Sequence, residues 1–310
     1  MNKRVLVTGA TGLIGKGIVK ELCSQGAYVK VIARNTKKAK GIFREQLMAE
    51  IIDLNMMNRP LKLRQVIEET DAVINLAGTN LSSKRWDEDF KSEIYLSRTG
   101  ITKLITDTIK ISDNKPECFV SASGAGYYGF RGDEELDENS SNPGNDFLSS
   151  LCRDWESEAL LSAQENVRVV LMRTGIVFDK SEGALPELLK PFKFFAGAYL
   201  GNGKQWMSWI HIADIIRLYL FAVQNDKIYG PLNGTSPDPV TNKILCQSIG
   251  KYKNTKLLLP VPEFALKIAV GEFAENLYNG QKVMPLKALE SGFVFSYPTL
   301  KSALDNLLGK

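Results

Sequence analysis

Histidine is almost missing: His211 is the only one in 310 residues. A multi-histidine metal centre is thereby excluded, and a Ser-His-Asp triad would have to recruit that single residue. Cysteine is scarce as well. Cys23, Cys118, Cys152 and Cys246 lie far apart with no CxxC spacing, which gives no zinc site and no disulfide framework and fits a reducing compartment. No apolar run approaches the roughly 20 residues that cross a bilayer, so no membrane association is expected. An excess of one charge is also lacking. A net charge of +4, spread along the chain, offers no concentrated basic face for nucleic acid. The opening MNKRVLVTGA enters a strand pattern directly, without the regions of a signal peptide, so a cytoplasmic location is expected.

What is present is a regular alternation. Strand patterns fall at Arg4–Val7, Tyr28–Ala33, Glu50–Asp53, Ala72–Leu76, Cys118–Ser123 and Val167–Met172. Between them, helical apolar spacing runs over Leu13–Ser24, Leu61–Glu69, Lys84–Lys110 and Phe147–Gln164. Strands alternating with helices predict an α/β fold, a Rossmann doubly wound parallel sheet covered on both faces. After residue 179 the alternation loosens and prolines and glycines become frequent. Gly197–Gly203 and Pro231–Pro239 read as loops and Ile212–Val223 as a helix, with Asp214 at its start. We therefore expect a Rossmann domain over residues 1–178 and a smaller C-terminal substrate lobe over 179–310, with a segment at about 205–240 returning to the first domain.

The first strand runs into Thr8-Gly9-Ala10-Thr11-Gly12-Leu13-Ile14-Gly15 and then a helix. Glycines allow a tight turn and close approach to a diphosphate. The helix start offers free N–H groups and a positive dipole end to that anion. A glycine trio is weak evidence by itself; here it sits between a first strand and an amphipathic helix, the context that gives it meaning. At the end of the second strand, NAD sites place a carboxylate on the ribose hydroxyls. This chain has Arg34 there, with Lys37 and Lys38 following, which suits a 2′-phosphate and so NADP rather than NAD. Asp53, followed by Leu54, stands at the third strand end and could accept from the adenine amino group. Asn75, Ala77 and Gly78, in Asn75-Leu76-Ala77-Gly78, close the fourth strand with small residues against which a cofactor can lie.

These motifs resemble the extended short-chain dehydrogenase/reductase superfamily, with TGATGLIG, DL, NLAG and SAS in order. The remaining chain is similar to one subgroup, the YfcH-like epimerase-family proteins. Lys84-Arg85-Trp86, SASGAGYYG at 121–129, CRDWE at 152–156, RTGIVF at 173–178, GKQWMSWIHIADI at 203–215 and NGTSPDPVTN at 233–242 carry the likeness. The tail from Leu259 to Leu308 is similar to that subgroup's small C-terminal module. The resemblance implies an NADP-binding fold, a small-molecule substrate and, by family analogy, a homodimer.

It also exposes a departure. The superfamily works with a Ser or Thr after the fifth strand and a Tyr-x-x-x-Lys on the next helix, whose lysine lowers the tyrosine pKa. Here Leu148 and Cys152, or in a shifted register Phe147 and Leu151, hold those places, and Ser97 stands where an Asn is usual. Without the lysine, a tyrosine near its ordinary pKa of about 10 is ionised in only about one molecule per thousand at pH 7. Ser123, Tyr127 and Tyr128 are the remaining candidates for catalysis. Lys84, Trp86, Arg173, Gln205 and His211 are candidates for contact with substrate. Two functions stay open: an NADP(H)-dependent oxidoreductase or epimerase-like enzyme acting on a small carbonyl or sugar-like molecule, and an NADP(H)-binding sensor or scaffold without turnover.

Overall fold

The computed structural model describes residues 3–46, 48–55, 60–141, 144–194, 196–255 and 257–309. Its centre is Arg4–Thr8 (β1), where Val5, Leu6 and Val7 are fully buried. Burial on both faces is what the middle of a parallel sheet requires. Helix α1 (Leu13–Ser24) leads to β2 (Tyr28–Ala33), α2 (Thr36–Ile42) to β3 (Ala49–Asp53) and α3 (Pro60–Glu68) to β4 (Ala72–Asn75). Next come α4 (Glu88–Ile111), β5 (Cys118–Gly124), the short β6 (Glu135–Leu136), α5 (Phe147–Leu160) and β7 (Arg168–Thr174). The chain continues through β8 (Ile176–Phe178), α6 (Ala184–Leu189), β9 (Ala196–Leu200), β10 (Trp206–Met207), β11 (Trp209–His211), α7 (Ile212–Gln224) and β12 (Gly230–Gly234). It closes with β13 (Val240–Thr241), α8 (Asn242–Tyr252), β14 (Leu257–Val261), α9 (Glu263–Val270), α10 (Ala274–Tyr278), β15 (Lys282–Val283), α11 (Leu286–Glu290) and α12 (Leu300–Leu308).

Seven strands form one parallel sheet in the order β12-β7-β5-β4-β1-β2-β3. The order reverses between β1 and β4, which opens a crevice at their carboxyl ends. Alternate side chains feed two cores. On one face Val5, Val7, Val29 and Val31 pack with Ile18, Val19 and Leu22 of α1 and Ile215 and Leu218 of α7. On the other, Leu6 and Val73 pack with Leu63 and Ile67 of α3 and Ile105 and Ile109 of α4. A third core lies outside the sheet. Phe178 and Trp209 stack at 5.5 Å beside Leu245 and Ile249 of α8 and Leu300, Leu304 and Leu307 of α12.

Several sequence expectations need correction. Pro231–Pro239 reads as a loop, yet its first part is β12, the seventh strand. Gly197–Gly203 also reads as a loop, yet β9 occupies Ala196–Leu200 and pairs in parallel with β14. The long fourth helix starts at Glu88 rather than Lys84, because the Asp87 carboxylate accepts from Phe90 N–H and caps it. The fifth ends at Leu160 and passes into a 3₁₀ turn closed by Asn166 at φ 60°. Helix α2, absent from the sequence reading, starts at Asn35, whose side chain accepts from Lys38 N–H.

Asp214 is not the cap of α7. His211 is: its Nδ1 accepts from Ala213 N–H at 3.0 Å. Asp214 is fully buried and accepts from Ser296 N–H and Tyr297 N–H at 2.8 and 2.9 Å. Asn233 Nδ2 donates to Met284 O, and Ser236 Oγ donates to Pro298 O, both at 2.9 Å. The C-terminal segment is thus stitched along β12, and an edge strand that would otherwise be bare is covered.

Candidate functional site

The crevice begins at the glycine turn. Gly9 has φ +65°, and a Cβ there would fall on the Leu76 carbonyl. A Cβ on Gly15 would lie 2.6 Å from Ala10 Cα. Both positions demand glycine, one for its conformation and its neighbour and the other for helix–turn packing. Gly12 is exposed and supplies the cap residue of α1 without a side chain, and no acidic residue stands in the first turn. The N–H groups of that turn, at Leu13 and Ile14, therefore keep their dipole end open to an anion. Thr11 flanks the turn and is partly exposed. A dinucleotide diphosphate fits this cradle.

Arg34 is exposed at the end of β2, and among the described residues no carboxylate lies within ion-pair distance of it. Asp53 ends β3, with Leu54 partly buried after it, and its Oδ1 accepts from Asn55 N–H at 2.8 Å. That bond makes an Asx turn and leaves the second carboxylate oxygen for other use. Asn75 lies deeper than the sequence suggests. It is fully buried, its Oδ1 accepts from Thr8 Oγ1 at 2.5 Å and from Ala77 N–H, and its Nδ2 donates to Thr102 Oγ1 at 2.8 Å. It shapes the ends of β1 and β4 from inside and faces no open space. Ala77 and Gly78 carry the chain past it, and Gly78 lies against the Arg98 guanidinium.

On the far side of the crevice the polar groups have partners. Ser123 Oγ donates to Glu156 Oε1 at 2.7 Å. Arg173 donates through Nε and Nη2 to the two Glu156 oxygens, each at 2.8 Å, and through Nη1 to Tyr128 Oη at 3.0 Å. Tyr128 Oη donates to Asn233 Oδ1 at 2.8 Å. Glu156 and Arg173 are 5% and 3% exposed, so this is a buried bidentate pair. Burial would lower the Arg173 pKa, but Glu156 and Tyr128 raise it further and hold the guanidinium charged. Burial pushes the Tyr128 phenol up to about 12, against the pull of Arg173. Ser123, Tyr128 and Arg173 thus all have protein partners in this structure, Arg173 bonding Glu156 and Tyr128.

Tyr127 differs. Its ring lies 3.3 Å from the Arg173 guanidinium carbon and edge-on to Tyr128, which fixes its plane. It is half-buried, and among the described residues its hydroxyl has no hydrogen-bond partner.

At the places of the missing pair, Leu148 packs with Trp86, Phe90 and Leu151. Cys152 is buried, and burial pushes its thiol up to about 12. Neither serves as a base at neutral pH. Trp86 is buried against Phe147 and Phe273, with Nε1 on Leu81 O, so it is core rather than substrate lining. Gln205 is 8% exposed, and its Nε2 donates to Leu200 O and Leu277 O. His211 is 3% exposed and capping, with Nε2 against Asn306 Oδ1 at 3.1 Å. Both are buried and engaged by neighbouring groups of the chain rather than set in an open cleft. Lys84 is exposed and pairs with Glu93 at 2.8 Å.

Sequence reasoning missed Glu156 and Asn233 as partners of the candidates. Glu156 carried one signal: a carboxylate on the apolar face of a helix needs a buried cation. Among the described residues no cluster of three or more His, Cys, Asp or Glu could hold a metal. No helix among them is long and apolar enough to cross a membrane.

A parallel sheet with this strand order, a glycine turn after β1 and a crevice at β1/β4 define a dinucleotide-binding protein of the extended short-chain dehydrogenase/reductase type. Residues 5–233 match the NAD dependent epimerase/dehydratase family and residues 261–307 a domain of unknown function, DUF1731, and the chain belongs to that epimerase/dehydratase family. It is 40% identical over 306 residues to the chloroplastic epimerase family protein SDR39U1 homolog of Arabidopsis thaliana, covering 98% of this chain and 86% of that protein. It is 34% identical over 304 residues to the epimerase family protein YfhF of Bacillus subtilis, covering 98% and 97%. A crystal structure of the human epimerase family protein SDR39U1 (isoform 2) with NADPH is similar at a TM-score of 0.86 and 30% identity, over 98% of this chain and 99% of that one.

Proposed function

We propose that this protein binds NADPH across the β1/β4 crevice and uses it to reduce a small carbonyl-containing substrate. The observation that carries the cofactor reading is the open glycine cradle at Gly9–Gly15 together with Arg34, an exposed cation at the β2 end with no carboxylate within ion-pair distance among the described residues, although Glu93 is near enough to feel its charge. The human relative's crystal structure with NADPH supports it. Bound there, the cofactor supplies hydride. The residues of the chain must then bind and orient it, exclude water and deliver one proton to the carbonyl oxygen.

For that proton the arrangement favours Tyr127, whose hydroxyl alone among Ser123, Tyr127 and Tyr128 is not spent on a protein acceptor. The direction of reaction follows. Oxidation needs a base, and the Tyr-x-x-x-Lys pair that would provide one is absent in either register, Leu148 with Cys152 or Phe147 with Leu151. Reduction needs only an acid, which a neutral phenol is. The test is NADPH oxidation by purified protein with a broad panel of aldehydes, ketones and keto-sugars. Tyr127→Phe should lower turnover about a hundredfold with NADPH affinity retained. Turnover unchanged in Tyr127→Phe would remove the residue's role. Tight cofactor binding with no turnover across the panel would favour the sensor reading.

A further inference from the structure

Arg98 on α4 is a half-buried cation that the mechanism above does not use. Its guanidinium packs on the end of β4: a Cβ placed on Gly78 would lie 3.0 Å from its Cζ and 3.2 Å from Nη2. Nη2 donates to Thr79 O at 3.0 Å, and Nη1 donates to Ile94 O at 3.1 Å and Ser97 Oγ at 3.5 Å. Its Cζ stands 5.5 Å from the ring centre of Trp155 on α5. A guanidinium has five N–H donors. Three bonds to uncharged acceptors leave two donors without a partner among the described residues.

What it lacks is an anion. Arg173 is buried against Glu156, and Lys30 against Glu69. No carboxylate lies within 4.0 Å of Arg98 among the described residues, and burial lowers its pKa to about 10. A cation partly withdrawn from water is costly to leave without a counter-charge. The position matters as much as the cost. Arg98 borders the carboxyl end of β4, one wall of the crevice. Trp155, over which it lies, is one helical turn from Cys152, which in one of the two registers takes the place of the superfamily's lysine.

We infer that Arg98 stands in for the absent lysine, supplying from α4 the positive charge that α5 no longer carries to the nicotinamide half of the cofactor. This rests on the NADPH reading above. A fixed cation there attracts the ribose hydroxyls and phosphates. It also opposes the cationic ring of NADP⁺ while leaving the neutral ring of NADPH unopposed. The site is thereby biased toward the reduced cofactor.

The experiment titrates NADPH, NADP⁺ and the fragment 2′,5′-ADP into the wild-type chain, Arg98→Gln and Arg98→Lys by calorimetry, with a thermal melt of each. Glutamine keeps donors for the Thr79 and Ile94 carbonyls without charge, and lysine keeps charge without the fork. Arg98→Gln should weaken NADPH about tenfold and reduce the NADPH-to-NADP⁺ affinity ratio about fivefold or more, leaving 2′,5′-ADP within about twofold. Arg98→Lys should retain the wild-type ratio. Equal ratios in wild type and Arg98→Gln would overturn the assignment. So would parallel loss of NADPH and 2′,5′-ADP, since a packing role moves both. A wild-type chain that binds neither NADPH nor 2′,5′-ADP would instead overturn the cofactor reading on which this one rests.

Discussion

The two sides of the crevice are built from the same kinds of residue and treat them in opposite ways. On the β1–β3 side, the turn at Gly9–Gly15 carries no side-chain cap, and among the described residues Arg34 has no carboxylate within ion-pair distance. On the β5–β12 side, Ser123, Glu156, Arg173, Tyr128 and Asn233 bond to one another in a closed chain. Polarity at a strand end is thus not in itself a sign of ligand binding. The informative property is whether the polar atoms already have partners.

Substitutions on the two sides should separate affinity from stability. The largest effect belongs to the closed side. Glu156→Ala strands a buried guanidinium and should cost about 3–5 kcal/mol of unfolding free energy in urea titration. Affinity for NADPH at 25 °C should stay within about threefold; a parallel collapse of binding would break the comparison. On the open side, Gly12→Asp sets a carboxylate at the α1 dipole end and should weaken NADPH on the order of a hundredfold in calorimetry, with little change in melting temperature. Arg34→Ala should weaken NADPH about tenfold to a hundredfold, the worth of charge-assisted bonds of about 1.5–3 kcal/mol, and leave NADH nearly unaffected. Equal losses for both nucleotides would mean that Arg34 does not read the phosphate.

The smallest effect concerns the cap of α7. Burial lowers the His211 pKa, outweighing the opposite pull of Asn306 and Asp214. A base with a depressed folded pKa resists protonation, so its contribution is present above the unfolded value of about 6.5 and is lost as pH falls through the folded one. Protonation also removes the Nδ1 lone pair that caps Ala213 N–H. The melting temperature should fall by a few degrees, about 2–4 °C, from pH 7 to pH 5. His211→Asn, which retains a capping oxygen, should flatten that step. An identical pH profile in the variant would place the acid sensitivity elsewhere.

The open side was legible in the sequence because its determinants are local. Gly9, Gly12 and Gly15 lie within one turn, and Arg34 directly follows its strand. The closed side was not, because Tyr128 meets Asn233 from 105 residues away and Arg173 meets Glu156 through tertiary packing. The same distance misled the reading of Trp86, whose cover includes Phe273 from the far end of the chain. β12 escaped detection because Gly230-Pro231-Leu232-Asn233-Gly234 has no β-branched residue; its partner β7 and the C-terminal segment make it a strand. The family likeness found the superfamily serine at Ser123 but not its engagement by Glu156.

The clasp on Asp214 bears on biogenesis. Both carboxylate oxygens receive amides of Ser296 and Tyr297, and apart from these its charge has Arg217 at 3.3 Å. During synthesis, α7 emerges from the ribosome well before those amides exist. Packing α7 onto the nascent sheet at that stage would bury a carboxylate ahead of its partners, an unfavourable step. The final docking of α7 is therefore coupled to the arrival of Ser296 and Tyr297.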